Sequence, residues 1–312
     1  MKKCRISCSA FLFFILLLGA LIALPRTASA EKNASGKAVI SEAYARQDGS
    51  IRLVLSGKEK SSCYLVYRAS KKDGKYKEIG KTKKGKYIDK DVKVYHKYWY
   101  KTTSAVKSGS EYIPGKMSKA VFVKARKPAK KMKLAYAGDS LIVGITKYGH
   151  MKAKKERVIA KIGINTIRYY QSSYQSQLRA YNPDQLVIMM GINGIEGKPG
   201  NGYIRKQVEY FERILKSLLK KNPNMEIILS GITPYKRHGN ATAAGRKWYN
   251  KRLKKLAKKY DGVWYCDPGK VFDNGSGYII SKYAAGDYHL KSFGYTKLVE
   301  FWRKFVKELK YK

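Results

Sequence analysis

Five short apolar runs separated by longer amphipathic segments constrain the chain most: LAYAG (134–138), RVIAKIG (157–163), LVIMMG (186–191), EIILSGI (226–232) and VWYCD (263–267). Short, almost wholly apolar runs read as strands buried on both faces. The segments between them carry helical periodicity. In 203–222, Ile204, Val208, Phe211, Leu215 and Leu218 recur at steps of four, three, four and three, and Asn222-Pro223 stops the pattern. The closing segment sets Leu298, Phe301, Trp302, Phe305 and Leu309 on a similar stripe. Strands alternating with helices predict an α/β domain over 133–312, a parallel sheet with helices on both faces. Sites in such folds sit at the carboxyl ends of the strands.

Residues 37–125 are patterned differently. IRLVLSG (51–57), CYLVYRAS (63–70), YWYKTTSAV (98–106) and AVFVKA (120–125) alternate in polarity, are rich in Tyr and Val, and are broken by turn signals such as Lys72-Asp73-Gly74. This spacing predicts an all-β sandwich. The stretch from Tyr64 to Val106 resembles fibronectin type III modules, with Tyr98 at the position of the corner tyrosine, although the family's early Trp is missing. Residues 126–132, basic and carrying Pro128, read as a linker.

Residues 1–30 read as a secretory signal. Lys2, Lys3 and Arg5 precede an apolar run of 14 residues (11–24), and Ala28-Ser29-Ala30 offers a small-x-small cleavage site. A permanent spanning helix needs about 20 apolar residues, so stable membrane insertion after cleavage is not expected. Cys63 and Cys266, the cysteines outside this segment, are read as separate buried hydrophobes.

The net charge is +44, from 66 Lys+Arg against 22 Asp+Glu. The basic residues are scattered as single lysines and Lys-Lys pairs, with no Arg-rich helix or nucleic-acid motif, so nucleic acid is not the expected partner. For an exported chain, an anionic cell-wall polymer is the candidate polyanion.

The expected strand ends carry the chemistry. The first ends in Gly138-Asp139-Ser140, the second at Gly163, the third in Gly191-Ile192-Asn193, and Gly286-Asp287-Tyr288-His289 lies near the carboxyl terminus. Acyl transfer needs a nucleophile, a base and donors for a developing oxyanion. Ser140 would open a helix and so present a free main-chain N–H. Gly163 permits close approach of backbone to substrate, and Asn193 offers a side-chain amide. His289 is the natural base near neutral pH. The other histidines, His96, His150 and His238, lack a partner pattern, and no Cys/His/acid spacing or phosphate-binding loop suggests a metal or a nucleotide cofactor.

Taken together, AYAGDSLIVG, RVIAKIGINT, LVIMMGINGI and DYHLKSFGYTKL, in this order, resemble the blocks of the GDSL/SGNH hydrolases. The resemblance implies a flavodoxin-like, three-layer α/β/α fold. It implies catalysis by Ser140 and His289, with an oxyanion hole of Ser140, Gly163 and Asn193 and with no cofactor or metal. SGITP (230–234) and Asn250 with YCDP also resemble the family. Members usually carry the triad aspartate three residues before the histidine. Here Gly286 holds that place and Asp287 stands two before, so either Asp287 completes a triad or a Ser–His dyad works alone. Gly194 replaces the family's common Asp.

The expectation is a secreted, extracellular serine esterase, associated with the cell wall through its charge, acting on short acyl esters such as acetyl groups on carbohydrate. An idle hydrolase-like domain in a cell-surface protein that binds polyanionic glycan, and an O-acyltransferase using the same residues, are the alternatives.

Overall fold

The computed structural model describes residues 37–58, 62–148, 156–196, 198–236 and 242–311. The expected signal segment, His150 and His238 lie outside the described residues.

The amino-terminal region contains β1 (Val39–Ala45), β2 (Ile51–Ser56), β3 (Ser62–Ala69), β4 (Lys77–Thr82), β5 (Lys86–Asp89), β6 (Lys97–Ser108), β7 (Glu111–Pro114) and β8 (Val121–Lys124). They form antiparallel sheets of order β1-β2-β5 and β4-β3-β6-β7, with β8 also on β6. Along β2, Ile51, Leu53 and Leu55 are buried and alternate with half-buried residues, the period of a strand with one face on a core. That face meets Tyr64, Val66, Tyr98, Tyr100 and Val123 of the second sheet. Tyr98 Oη accepts the Lys93 N–H at 2.9 Å, a bond to backbone just upstream of the kind a corner tyrosine makes.

The second region contains β9 (Leu134–Gly138), α1 (Ser140–Lys147), β10 (Glu156–Ala160), α2 (Thr166–Gln171), α3 (Ser173–Tyr181), β11 (Gln185–Met189), α4 (Gly202–Lys221), β12 (Glu226–Ser230), α5 (Ala243–Ala257), β13 (Val263–Cys266), α6 (Gly269–Phe272), the short strands β14 (Ala284–Ala285) and β15 (His289–Leu290), and α7 (Ser292–Glu308). The sheet order is β10-β9-β11-β12-β13, all parallel. This is the flavodoxin-like order, and its topological switch point lies between β9 and β11. Every residue of β11 and β12 is buried, which is why these strands read as continuous apolar runs. On one face Ile204, Phe211, Leu215 and Leu218 of α4 pack with Tyr249 and Leu253 of α5. On the other, Leu141, Ile142 and Ile145 of α1 pack with Leu298, Val299 and Trp302 of α7. Each large side chain so buried contributes roughly 1.5–3 kcal/mol. Phe211→Ala, at a position with no exposure, costs about 3–5 kcal/mol by loss of transfer energy and cavity formation.

The two regions share buried contacts. Arg126, just after β8, is 4% exposed and donates from Nε and Nη2 to Glu226 Oε1 and Oε2 at 2.8 and 2.6 Å. Its guanidinium lies 3.7 Å from the ring centroid of Tyr311, which in turn pairs with Ala45 of β1. Met132 is also buried, so 126–132 begins and ends in packed side chains. Cys63 and Cys266 are free, buried, and lie in different regions. No helix among the described residues is long and apolar enough to cross a membrane.

Candidate active site

The site is assembled at the switch point. β9 lies between β10 and β11, and Gly138 pairs in register with both Ala160 and Met189. The loops carrying Ser140, Gly163 and Asn193 therefore leave three adjacent strands at one level. Gly138 is required by close approach. A Cβ there would stand 2.0 Å from the Met189 carbonyl oxygen and 2.6 Å from Ile142 Cγ1, distances no side chain tolerates.

Asp139 caps α1. Its Oδ1 accepts the Leu141 N–H at 3.1 Å, and its Oδ2 accepts the Gly191 N–H at 3.2 Å. One carboxylate thus closes a helix start and ties the end of β9 to the end of β11. It is 1% exposed. Burial pushes its pKa up to about 7, against the backbone donors of Leu141, Gly191 and Ile192 that favour its charged form.

Ser140 is the first residue of α1, so its N–H has no partner within the helix. Its Oγ is 3.0 Å from His289 Nε2, within hydrogen-bond reach for a serine and its base. The histidine comes from 149 residues downstream. It opens β15 opposite Ala285 of β14, and Leu290 beside it is buried and anchors the hairpin. The Lys236 N–H donates to the Asp287 carbonyl at 2.9 Å, and the Lys291 N–H to the Tyr283 carbonyl at 2.8 Å. Asp287 is exposed in the hairpin turn. Tyr288 packs on Tyr235, with centroids 5.5 Å apart, and its hydroxyl is 3.4 Å from Glu196 Oε1.

Gly163 lies in the turn after β10 with φ +72°, a conformation that favours glycine, and the space where a Cβ would stand is empty. Asn193 Nδ2 donates to the Ile164 carbonyl at 3.0 Å. That bond ties the asparagine loop to the residue after Gly163. The amide's second N–H remains available as a donor.

Two contributors were not anticipated from sequence. Asp139 stands there only as part of the Gly138-Asp139-Ser140 strand end, and Gln207 only as part of a helix. Gln207 is fully buried. Its Nε2 donates to the carbonyls of Gly194 and Asn193 at 2.7 and 3.3 Å, and its Oε1 accepts the Thr166 N–H at 3.2 Å. It thereby braces the asparagine loop against the start of α2. The signal was present: Gln207 stands three residues after Ile204 and four before Phe211, a polar residue on the apolar stripe, and buried polar groups require partners. Asn250 clasps the loop after β12, accepting the Ile232 N–H at 2.9 Å and donating to its carbonyl at 3.1 Å.

Among the described residues, no group of three or more His, Cys, Asp or Glu stands together to hold a metal ion. What the arrangement supplies is a hydroxyl on an imidazole, a helix N-terminus beneath it, and amide donors on two neighbouring loops.

No curated protein matches the chain in sequence. Among solved structures, a GDSL-like lipase from Bacteroides thetaiotaomicron is similar at a TM-score of 0.50 and 15% identity, over 57% of this chain and 89% of that one. A candidate acylhydrolase from Bacteroides fragilis is similar at 0.50 and 16%, over 56% and 86%. Identities this low speak to the fold. The model of the GDSL-like lipase/acylhydrolase family matches residues 137–297, more than half of the chain and every strand end described above. The chain belongs to the GDSL-like lipase/acylhydrolase family.

Proposed function

We propose that the protein is an exported serine esterase that removes short acyl groups, acetyl above all, from carbohydrate. The observation that carries the reading is the 3.0 Å contact between Ser140 Oγ and His289 Nε2 at the start of α1.

For Nε2 to act as base, the ring proton must sit on Nδ1. His289 Nε2 takes the Ser140 hydroxyl proton as Oγ bonds to the ester carbonyl carbon. The carbonyl oxygen becomes an oxyanion that accepts from the Ser140 and Gly163 N–H groups and from Asn193 Nδ2. The C–O bond to the alcohol then breaks, and His289 returns its proton to the departing oxygen. Water, deprotonated by the same imidazole, attacks the acyl-serine, and collapse restores the hydroxyl and frees the acid. Each amide donor aimed at the oxyanion is worth about 10²–10³ in turnover. Asp287 is the group we assign to hold the Nδ1 proton.

Export rests on the charge and apolar pattern of residues 1–30. The carbohydrate preference rests on export together with the appended β-region, residues 37–125, which we assign as a fibronectin type III-like module on the corner geometry of Tyr98. Residues 126–132 connect it to the hydrolase domain, 133–312. The formed Ser140–His289 contact favours a working site over an idle one.

The test is hydrolysis of an aryl acetate by Ser140→Ala. The expected result is loss of turnover with an unchanged circular dichroism spectrum. Turnover at the parent rate removes Ser140 from the mechanism.

A further inference from the structure

A second concave surface lies away from Ser140, along the open edge of the sheet. β13 is the edge strand, and beside it a groove of about 450 Å³ runs between α5 and α7. This volume suits a small ligand or a few units of a polymer.

Its walls differ in character. Phe301 and Phe305 of α7 and Tyr265 of β13 supply aromatic surface, all half-buried. The opposite wall is cationic. Lys247, Lys251 and Lys254 follow one another at steps of four and three, one face of α5, and Lys270 of α6 joins them. All four are exposed, and none makes an ion pair among the described residues.

At its base lies Arg246, 3% exposed. Its Nη2 donates to Asp273 and to the Gly277 carbonyl at 3.0 and 3.1 Å, while its Nε is buried without a partner. Gly269 keeps the floor open, since a Cβ there would stand 2.9 Å from Asp267 Oδ1 and 3.5 Å from Arg246 Nη1. Five cations thus line the groove with two carboxylates, Asp267 and Asp273. Asp267 already accepts the Gly269 N–H, and Asp273 holds Arg246.

We propose that this groove binds an acidic sugar residue of a polysaccharide, a pyranose ring against the aromatic wall and its anionic group toward the lysines. Charge alone would serve any polyanion, whereas the aromatic wall selects one with a ring. Cys266 pairs in register with Ser230, and the two strands between β13 and β9 are aligned level by level, so Cys266 sits three strand positions from Gly138. At the spacing of a sheet that is roughly 14 Å, about the length of a few sugar units. A chain anchored in the groove has its neighbouring units within range of Ser140. Binding itself does not depend on the esterase reading; the use of the anchored chain as substrate does.

The test is calorimetric titration of the full chain at physiological salt with three probes: an oligomer of a uronic acid, a neutral glucan oligomer of equal length, and inorganic polyphosphate of equal charge. The uronate should bind, the glucan should bind at least about tenfold more weakly, and so should polyphosphate. K251Q/K254Q/K270Q should weaken uronate binding about tenfold or more, while K71Q/K72Q/K75Q, which removes the same charge from the exposed β3–β4 turn, changes it under about twofold. Equal losses in the two triple variants, polyphosphate or glucan binding as tight as uronate, or no uronate binding would each overturn the proposal. Aryl acetate turnover, measured in parallel, should be the same in both variants. Repeating the titration on Ser140→Ala separates the two readings, because the groove should bind as before when hydrolysis is gone.

Discussion

The two ends of the parallel sheet each bury a carboxylate, and they handle it differently. At the amino-terminal end, Glu226 is met by a whole guanidinium, with Arg126 Nε and Nη2 at 2.8 and 2.6 Å and Gln185 Nε2 at 2.9 Å. At the carboxyl-terminal end, Asp139 has backbone N–H groups and, among the described residues, no ion-pair partner, and burial raises its pKa to about 7. The first arrangement fixes the β-region to the hydrolase domain. The second leaves an acid that titrates near neutrality directly beside the proposed nucleophile. The same fold therefore places compensated charge where two regions are joined and uncompensated charge beside the proposed nucleophile, the pattern expected if that end is a functional site.

That comparison predicts effects that separate by end. His289→Ala at the carboxyl end should lower kcat for an aryl acetate by roughly 10⁴-fold or more, with Tm within about 2 °C of the parent. A comparable fall in stability would make the hairpin a structural element first. Arg126→Ala at the other end leaves Glu226 buried and unpaired, and should cost about 3–5 kcal/mol by denaturant titration without altering kcat of the folded fraction. Loss of kcat there would couple the ends and break the comparison.

Asn193→Ala removes one amide donor and the bond to the Ile164 carbonyl. We expect kcat to fall about 10²–10³-fold, equivalent to roughly 3–4 kcal/mol, with KM little changed. A rise in KM alone would assign Asn193 to substrate binding. The last prediction concerns stability rather than turnover, and it falls on Asp139. Its folded pKa, about 7, lies above its ordinary 3.8, so its favourable contribution is complete at low pH and is lost as pH rises toward 7. The parent should therefore lose stability relative to Asp139→Asn between about pH 4 and 7, measured as the difference in Tm. A difference independent of pH would mean that Asp139 does not titrate in this window.

Much of the hydrolase domain was legible because its strands are buried on both faces. The five apolar runs became β9 to β13, each end within three residues, and the stripe on α4 packs as its spacing implied. The β-region was less legible. β1 carries a register shift between Ile40 and Glu42, which breaks the alternation a strand is recognised by. β4, KEIGKT, has no buried residue, so no face stands out. The buried polar partners were hidden for another reason. Arg126 and Glu226 lie 100 residues apart, and only the sheet register brings them together. Gln207 could have been found, because a glutamine on an apolar stripe is an anomaly with a physical cause. Asp139 showed only as part of a strand end because its second bond, to Gly191, spans 52 residues.

The central claim is that Ser140 and His289 act as nucleophile and base. A fluorophosphonate probe followed by peptide mass spectrometry tests it most directly, since phosphonylation requires a serine oxygen activated by its neighbour. The account predicts one adduct, on Ser140, absent from the His289→Ala variant. An unmodified Ser140 in the folded parent protein, or labelling that persists without the imidazole, would contradict it.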